Sequence, residues 1–447
     1  MTIPIAKKDS SHQPPRFHYT WIILTVGTLV VFGSLGLARF GYTMLLPAMQ
    51  NGLGLDNTRA GGLATANLAG YLMLSVAGGA LAVRFGPRAV ITAGLALAAI
   101  SMMMTGLSES FTGALVWRAL TGVGSGASNV PVMALLSAWF VQRRRGLAAG
   151  IGVTGSSLAL ILLGPLVPHL LLSYNDRGWR VCWFLFAGVT LGLAVLALAL
   201  LRNRPAAIGL RPFGAGENED IHISGAGGLH WRDVYRSRII WHIGLIYVAF
   251  GFSYIIYLTF FTKYLMAEGG YTQVAAGRLF MYMGWLSLLC GLIWGGISDF
   301  IGRKGALLIV YLLHTAAFGL FAIWPSPAGF TLSAILFGLS AWSIPAIMAA
   351  ACGDLLGPRL APAALGFITL FFGIGQAVGP SAAGALADAT GSLSPAMLLA
   401  AGAAFLGALG CLLLRHPGLT RSKHHIIPNT NHQAIELPDR RGGRDER

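Results

Sequence analysis

The chain has 447 residues, 55% of them hydrophobic and only 11% charged, with a formal net charge of +15. A soluble protein carries about a quarter charged residues, so a chain of this mean hydropathy, +0.68, cannot hydrate its own surface and needs lipid around it. The basic excess does not point to nucleic acid, because it stands in short loops and tails between apolar runs, where basic residues set membrane topology.

The first 18 residues are polar and carry Lys7, Lys8 and Arg16. They lack a short apolar core with a cleavage site, so no removable leader is expected. Apolar runs of spanning length then predict six helices, at 19–47, 59–83, 88–107, 111–139, 146–172 and 179–201. Residues 202–236, rich in Gly, Pro and charge, are expected to form a linker. Six more helices follow at 237–265, 272–297, 304–324, 327–352, 362–387 and 392–414, and the polar segment 415–447 reads as a disordered tail. The expected fold is an all-α membrane protein of 12 transmembrane helices, in two related six-helix halves, 19–201 and 237–414. With the N-terminus in the cytoplasm, 24 of the 31 Lys and Arg fall on the cytoplasmic side, which predicts both termini inside.

Cys182, Cys290, Cys352 and Cys411 lie in apolar runs without CxxC spacing, and neither disulfides nor metal ligation is expected. No catalytic constellation and no G-x-x-x-x-G-K-[ST] is present, so neither an enzyme nor a nucleotide-driven pump is expected, and no cofactor. His169, His242 and His314 stand on different helices and read as local hydrogen-bonding residues.

The halves repeat each other. Gly79–Gly86 lines up with Gly295–Gly302, Gly36–Tyr42 with Gly251–Tyr257, Asn129-Val-Pro131 with Ser343-Ile-Pro345, and Gly164-Pro165 with Gly379-Pro380, all at offsets of 214 to 216. Six-helix parallel repeats are a transporter plan. At this point the chain resembles the major facilitator superfamily over nearly its whole length. Its loop motif G-x-x-x-D-R/K-x-G-R/K-R/K is close in the second copy (Gly295, Asp299, Gly302, Arg303, Lys304). The first copy is degraded (Gly79, Arg84, Gly86, Arg88), with Val83 in the acidic position. Arg118-Ala-Leu-Thr-Gly122-Val-Gly124-Ser-Gly126 resembles the family's helix-4 segment. Ala38–Tyr42, Leu45–Met49 and Gly251–Tyr257 are similar to the bacterial YbfB/YjiJ-type branch, and Arg144–Gly150 to monocarboxylate and oxalate/formate carriers. The resemblance implies a bacterial inner-membrane secondary carrier, proton- or ion-linked, working by alternating access and commonly as a monomer. It also implies that helices 1 and 4 line a central cavity.

Ionisable groups inside spans are functional hypotheses by default. Arg39 lies eight residues before Pro47, the expected outer end of helix 1, and Arg118 nine after Glu109, so both sit roughly 12–14 Å deep. None of the sixteen acidic residues lies deep in a span. Two arginines without an acidic partner favour an anion, which guanidinium grips through paired hydrogen bonds. The expected site is Arg39 and Arg118, with Tyr42 and Asn129, against an aromatic wall of Tyr247, Tyr254, Tyr257 and Trp342. For Arg118 the alternative is bonding to backbone carbonyls of neighbouring helices; Asn67, Asn129 and Gln376 either bond between helices or touch substrate. Lys263 and Arg278 are expected to reach lipid headgroups. Arg84, Arg88, Asp299, Arg303 and Lys304 are expected to act at the inner gate, Asp299 pairing with a nearby cation. The resulting expectation is a carrier for a small organic anion, a carboxylate, with a proton or counter-anion as co-substrate. The alternatives are drug efflux and, less favoured, a non-transporting sensor.

Overall fold

The computed structural model describes residues 18–215 and 231–414. The expected N-terminal segment (apart from His18), the C-terminal tail and the middle of the linker lie outside the described residues. Twelve helices form the body: α1 (Thr20–Leu53), α2 (Asn57–Phe85), α3 (Pro87–Leu107), α4 (Phe111–Trp139), α5 (Arg145–Tyr174) and α6 (Gly178–Leu200), then α7 (Arg238–Ala267), α8 (Gln273–Ile301), α9 (Arg303–Ile323), α10 (Pro327–Leu356), α11 (Ala363–Thr390) and α12 (Ser394–Leu413). Ten described stretches are long and apolar enough to cross a membrane, and the bent α2 makes eleven. One of the ten, Arg145–Leu200, turns back at Asn175, whose φ is 47°, and so makes two crossings, α5 and α6. The protein is the all-α, two-bundle fold expected.

The repeat is written in the helix ends. Asp56 accepts from the Arg59 N–H and Thr272 from the Ala275 N–H; Ser110 does the same for Gly113 and Ser326 for Gly329. These pairs sit 216 residues apart, and each satisfies a backbone donor that a helix start leaves open. Gly86 and Gly302, at the same offset, turn α2 into α3 and α8 into α9 with φ of 84° and 85°, a region where only glycine is at ease.

Two helices depart from expectation at the centre of the molecule. Helix α1 does not end at Pro47 but runs on to Leu53, stopped by Gly54 at φ 60°. Its middle, Phe32–Phe40, is a wide π-helical segment. Helix α10 is interrupted at residues 339–342, where Trp342 begins its second half, and the Trp294 indole N–H satisfies the Leu339 carbonyl. Such irregular turns free backbone groups and occur frequently at functional sites. The described parts of the linker fold onto the bundles. Phe213 exchanges backbone bonds with Trp139 and Val141 and packs its ring against His18, Trp21 and Phe140.

Candidate functional site between the bundles

The two bundles meet along α2 with α11 and α5 with α8, and each seam is a stripe repeating every seven residues. On α2 the stripe is Thr65, Leu72, Gly79. Thr65 bonds Ser381, and Leu72 covers Gly373. On α8 it is Gly277, Gly284, Gly291, and the first two press on Gly164 and Ile161 of α5. Around the third member of each stripe, and around Gly366 on α11, a side chain would meet nothing within 4 Å. The bundles therefore touch at the end away from the chain's N-terminus, here the outer end, and diverge toward the other, inner end.

The outer end is closed by a polar lock. Asp388 of α11 accepts from the Asn57 and Thr58 N–H groups at 3.0 and 2.7 Å and from the Thr58 hydroxyl at 2.6 Å. From α7, Lys263 Nζ donates to Gln50 Oε1 at 2.6 Å and also to Asn57. Lys263 thus points between the bundles rather than to lipid headgroups, whereas Arg278 is exposed.

At mid-depth, where the seams begin to part, Arg39 lies in the last turn of the π-helical segment of α1. It is 8% exposed, and neither Nε nor Nη2 has a hydrogen-bond partner. Its guanidinium stacks over the Tyr71 ring at 4.4 Å and lies beside the Tyr254 hydroxyl. Asn129 Nδ2 donates to the Tyr71 hydroxyl at 2.8 Å, and its Oδ1 is unpaired. The opposite wall is aromatic. Tyr247 stacks on Phe372 at 4.7 Å and Phe250 on Tyr254 at 4.7 Å, with planes 18° and 14° apart. Trp342 lies 5.5 Å from Phe40 and sends its indole N–H across the seam to Ser157 Oγ at 3.1 Å. Gln376 donates to the Tyr254 hydroxyl. Arg39 and Asn129 thus meet on Tyr71, and Tyr254, beside Arg39, stands with Trp342 and, through Phe372, with Tyr247.

The other expected site residues stand differently. Arg118 is 1% exposed; its Nη1 donates to the Ala38 carbonyl at 2.7 Å, and its guanidinium is held between the Tyr42 and Trp183 rings at 4.8 and 5.1 Å. It braces the wide turn of α1, which is the carbonyl-bonding alternative. Tyr42 donates to the Ala60 carbonyl, tying α1 to α2. Tyr257 pairs with Ser333 at 2.9 Å among Phe318, Phe321 and Phe337, inside its own bundle. Tyr71 and Phe372 were missed by sequence reasoning; Tyr71 was findable, since it stands one turn from Asn67 on the same face.

At the inner end Arg303 joins Asp299 at 2.6 Å and Asp354 at 2.9 Å, and its Nη1 donates to Ser298. Lys304 Nζ donates to the Leu412 and Leu414 carbonyls, both at 2.8 Å, and its counterpart Arg88 bonds the Leu198 carbonyl. These hold loop to helix within each bundle. Arg84 stacks on its neighbour Phe85. In the N-terminal bundle Val83, 90% exposed, stands where Asp299 is, so among the described residues the ion-paired cluster is seen on one side only.

Two repeated six-helix bundles, apposed around a nearly buried guanidinium, define a membrane transporter of the two-bundle class. The sequence profile of the Major Facilitator Superfamily matches residues 28–361 and 270–431, and the chain belongs to that family. It is 23% identical to the hexuronate transporter of Bacillus subtilis, over 85% of this chain and 91% of that one. To monocarboxylate transporter 13 of Bos taurus it is 24% identical, over 97% and 99%. The solved structure of a bacterial homologue of the human lysosomal transporter Spinster, inward-facing and occupied, is similar with a TM-score of 0.69. That likeness, at 17% identity over 88% of this chain and 96% of that one, is one of fold.

Proposed function

We propose that the protein is a secondary active carrier of a small organic anion, a carboxylate, bound at Arg39 and moved by alternating access. One observation carries this reading: a guanidinium at mid-membrane, nearly buried, with two nitrogens unbonded. A buried cation without a counter-charge is costly, and a carboxylate supplies the charge and both acceptors. The relatives agree in chemistry, since a hexuronate and a monocarboxylate are both organic acids. The aromatic wall alone would suit an amphipathic drug, but a cationic drug would face Arg39 without a counter-charge. Charge bias favours the inner end on the cytoplasmic side, and on that reading the arrangement described is the one open to the cytoplasm.

Proton coupling is part of the proposal. No described acidic residue lines the site, so the proton travels with the substrate. Uptake into proteoliposomes should then rise when the lumen is made alkaline and collapse when the pH gradient is dissipated; exchange driven only by a trans anion would replace symport with antiport.

The outer lock and the inner cluster should trade off. Lys263→Ala is expected to favour the arrangement open at the outer end, while Asp299→Asn favours the inner-open one. A reporter cysteine at Gly366 reads both: labelling falls in the first and rises in the second. Unchanged labelling in either variant would remove that residue from the gate.

A further inference from the structure

The space around Arg39 also limits which anions fit, an inference that rests on the carboxylate reading above. We propose that the site takes a monoanion with a flat apolar body and one hydrogen-bonding group at its far end. Three features carry this.

Only one guanidinium is offered. Arg118 has Nη1 on the Ala38 carbonyl and rings on two sides. A second anionic group would therefore enter without a cation, which is strongly disfavoured away from bulk water.

The polar groups named around Arg39, on both bundles, are largely committed to one another. Gln376 bonds Tyr254, Asn67 bonds the Arg118 carbonyl, and Ser157 bonds Trp342 and Ser287. A polyhydroxylated body would leave several hydroxyls unpaired there. The near-parallel rings of Tyr247, Phe250, Tyr254 and Phe372 stack on one another as an apolar layer, of which only Phe372 is half-buried and left to stack with a planar body.

One polar atom left free among the described residues is Asn129 Oδ1, buried and unpaired. Asn129 bonds the hydroxyl of Tyr71, the ring that Arg39 covers. Carboxylate anchor and distal polar group are thus separated by about one phenol ring, the layout of an aryl-alkanoate with a polar ring substituent. Whichever way the amide is turned, one of its two polar atoms is left for the ligand.

The test uses the purified full chain and apparent Kd values from ligand-dependent melting. Four probes are compared: 3-(4-hydroxyphenyl)propionate, 3-phenylpropionate, succinate and gluconate. The two aryl-propionates should bind at least tenfold tighter than succinate or gluconate. Arg39→Gln should abolish their binding, Arg39→Lys should weaken it, and Arg118→Lys should leave the ranking intact. Asn129→Leu should erase the advantage of the hydroxylated probe while sparing 3-phenylpropionate. Succinate or gluconate binding as tightly as the aryl-propionates, still lost in Arg39→Gln, would overturn this inference and leave the carboxylate reading standing. Stabilisation by tetraphenylphosphonium but by no anion would overturn both. Absence of stabilisation by either aryl-propionate at millimolar concentration also overturns the inference.

Discussion

Arg39→Ala is expected to abolish transport without harming the fold. Losing charge-assisted hydrogen bonds to a bound carboxylate costs about 1.5–3 kcal/mol, roughly 10- to 100-fold in affinity, and among the described residues no second uncommitted guanidinium stands beside Arg39 to replace it. In the unliganded protein the same guanidinium is a liability: it is 8% exposed, with Nε and Nη2 unbonded. Removing a buried group that lacks its partner relieves a penalty, so the ligand-free melting temperature should hold or rise. Arg118→Ala should do the reverse. It strips the Ala38 carbonyl of its donor at 2.7 Å and opens a gap between Tyr42 and Trp183, so melting should fall by the equivalent of about 1–3 kcal/mol. Matched melting curves and uptake of the two variants separate the binding arginine from the bracing one. A fall in melting temperature with retained uptake in Arg39→Ala would reverse the assignment.

The second large effect concerns two glycines with the same local problem in different places. A Cβ on Gly61 would overlap the Pro380 carbonyl oxygen across the seam between bundles, and one on Gly384 would overlap that of Asn57. A Cβ on Gly122 would overlap the Asn67 carbonyl inside the N-terminal bundle. Overpacking costs about 1–3 kcal/mol or more when backbone must move. For Gly122→Ala that cost falls on every conformation, so expression and melting should drop. For Gly61→Ala and Gly384→Ala it falls only on the arrangement closed at the outer end. These variants should fold, yet shift toward the outer-open state, with lower labelling of a cysteine at Gly366 and a smaller uptake rate. Equal loss of folded protein in all three would mean that the α2–α11 seam does not open.

The fold was legible because its determinants are local and repeated. Capping residues at Asp56 and Thr272, and at Ser110 and Ser326, and the turn glycines Gly86 and Gly302 recur at one offset, and apolar length does the rest. Helix ends were less legible where packing overrides local chemistry. Pro47 looks like a stop, but neighbouring helices hold α1 together as far as Leu53, as they commonly do for proline inside membrane helices. The site was half legible. Arg39 stands out because a lone charge in an apolar run is conspicuous, whereas the commitment of Arg118 to Ala38 depends on a π-helical turn with no sequence mark. Tyr247 and Tyr254, seven residues apart, share one helix face and stack on Phe372, and Tyr257 is rotated into its own bundle. The outer lock was not legible at all: Gln50, Asn57, Lys263 and Asp388 meet only because the bundles do.

The most direct test of the carrier reading is counterflow. Proteoliposomes are loaded with unlabelled 3-phenylpropionate and given the labelled acid outside, with no ion gradient. The expected result is a transient accumulation of label in the wild type, and none in Arg39→Ala protein reconstituted at equal density. Accumulation of tetraphenylphosphonium by the same protocol, with no organic anion supporting counterflow, would contradict an anion carrier built around Arg39.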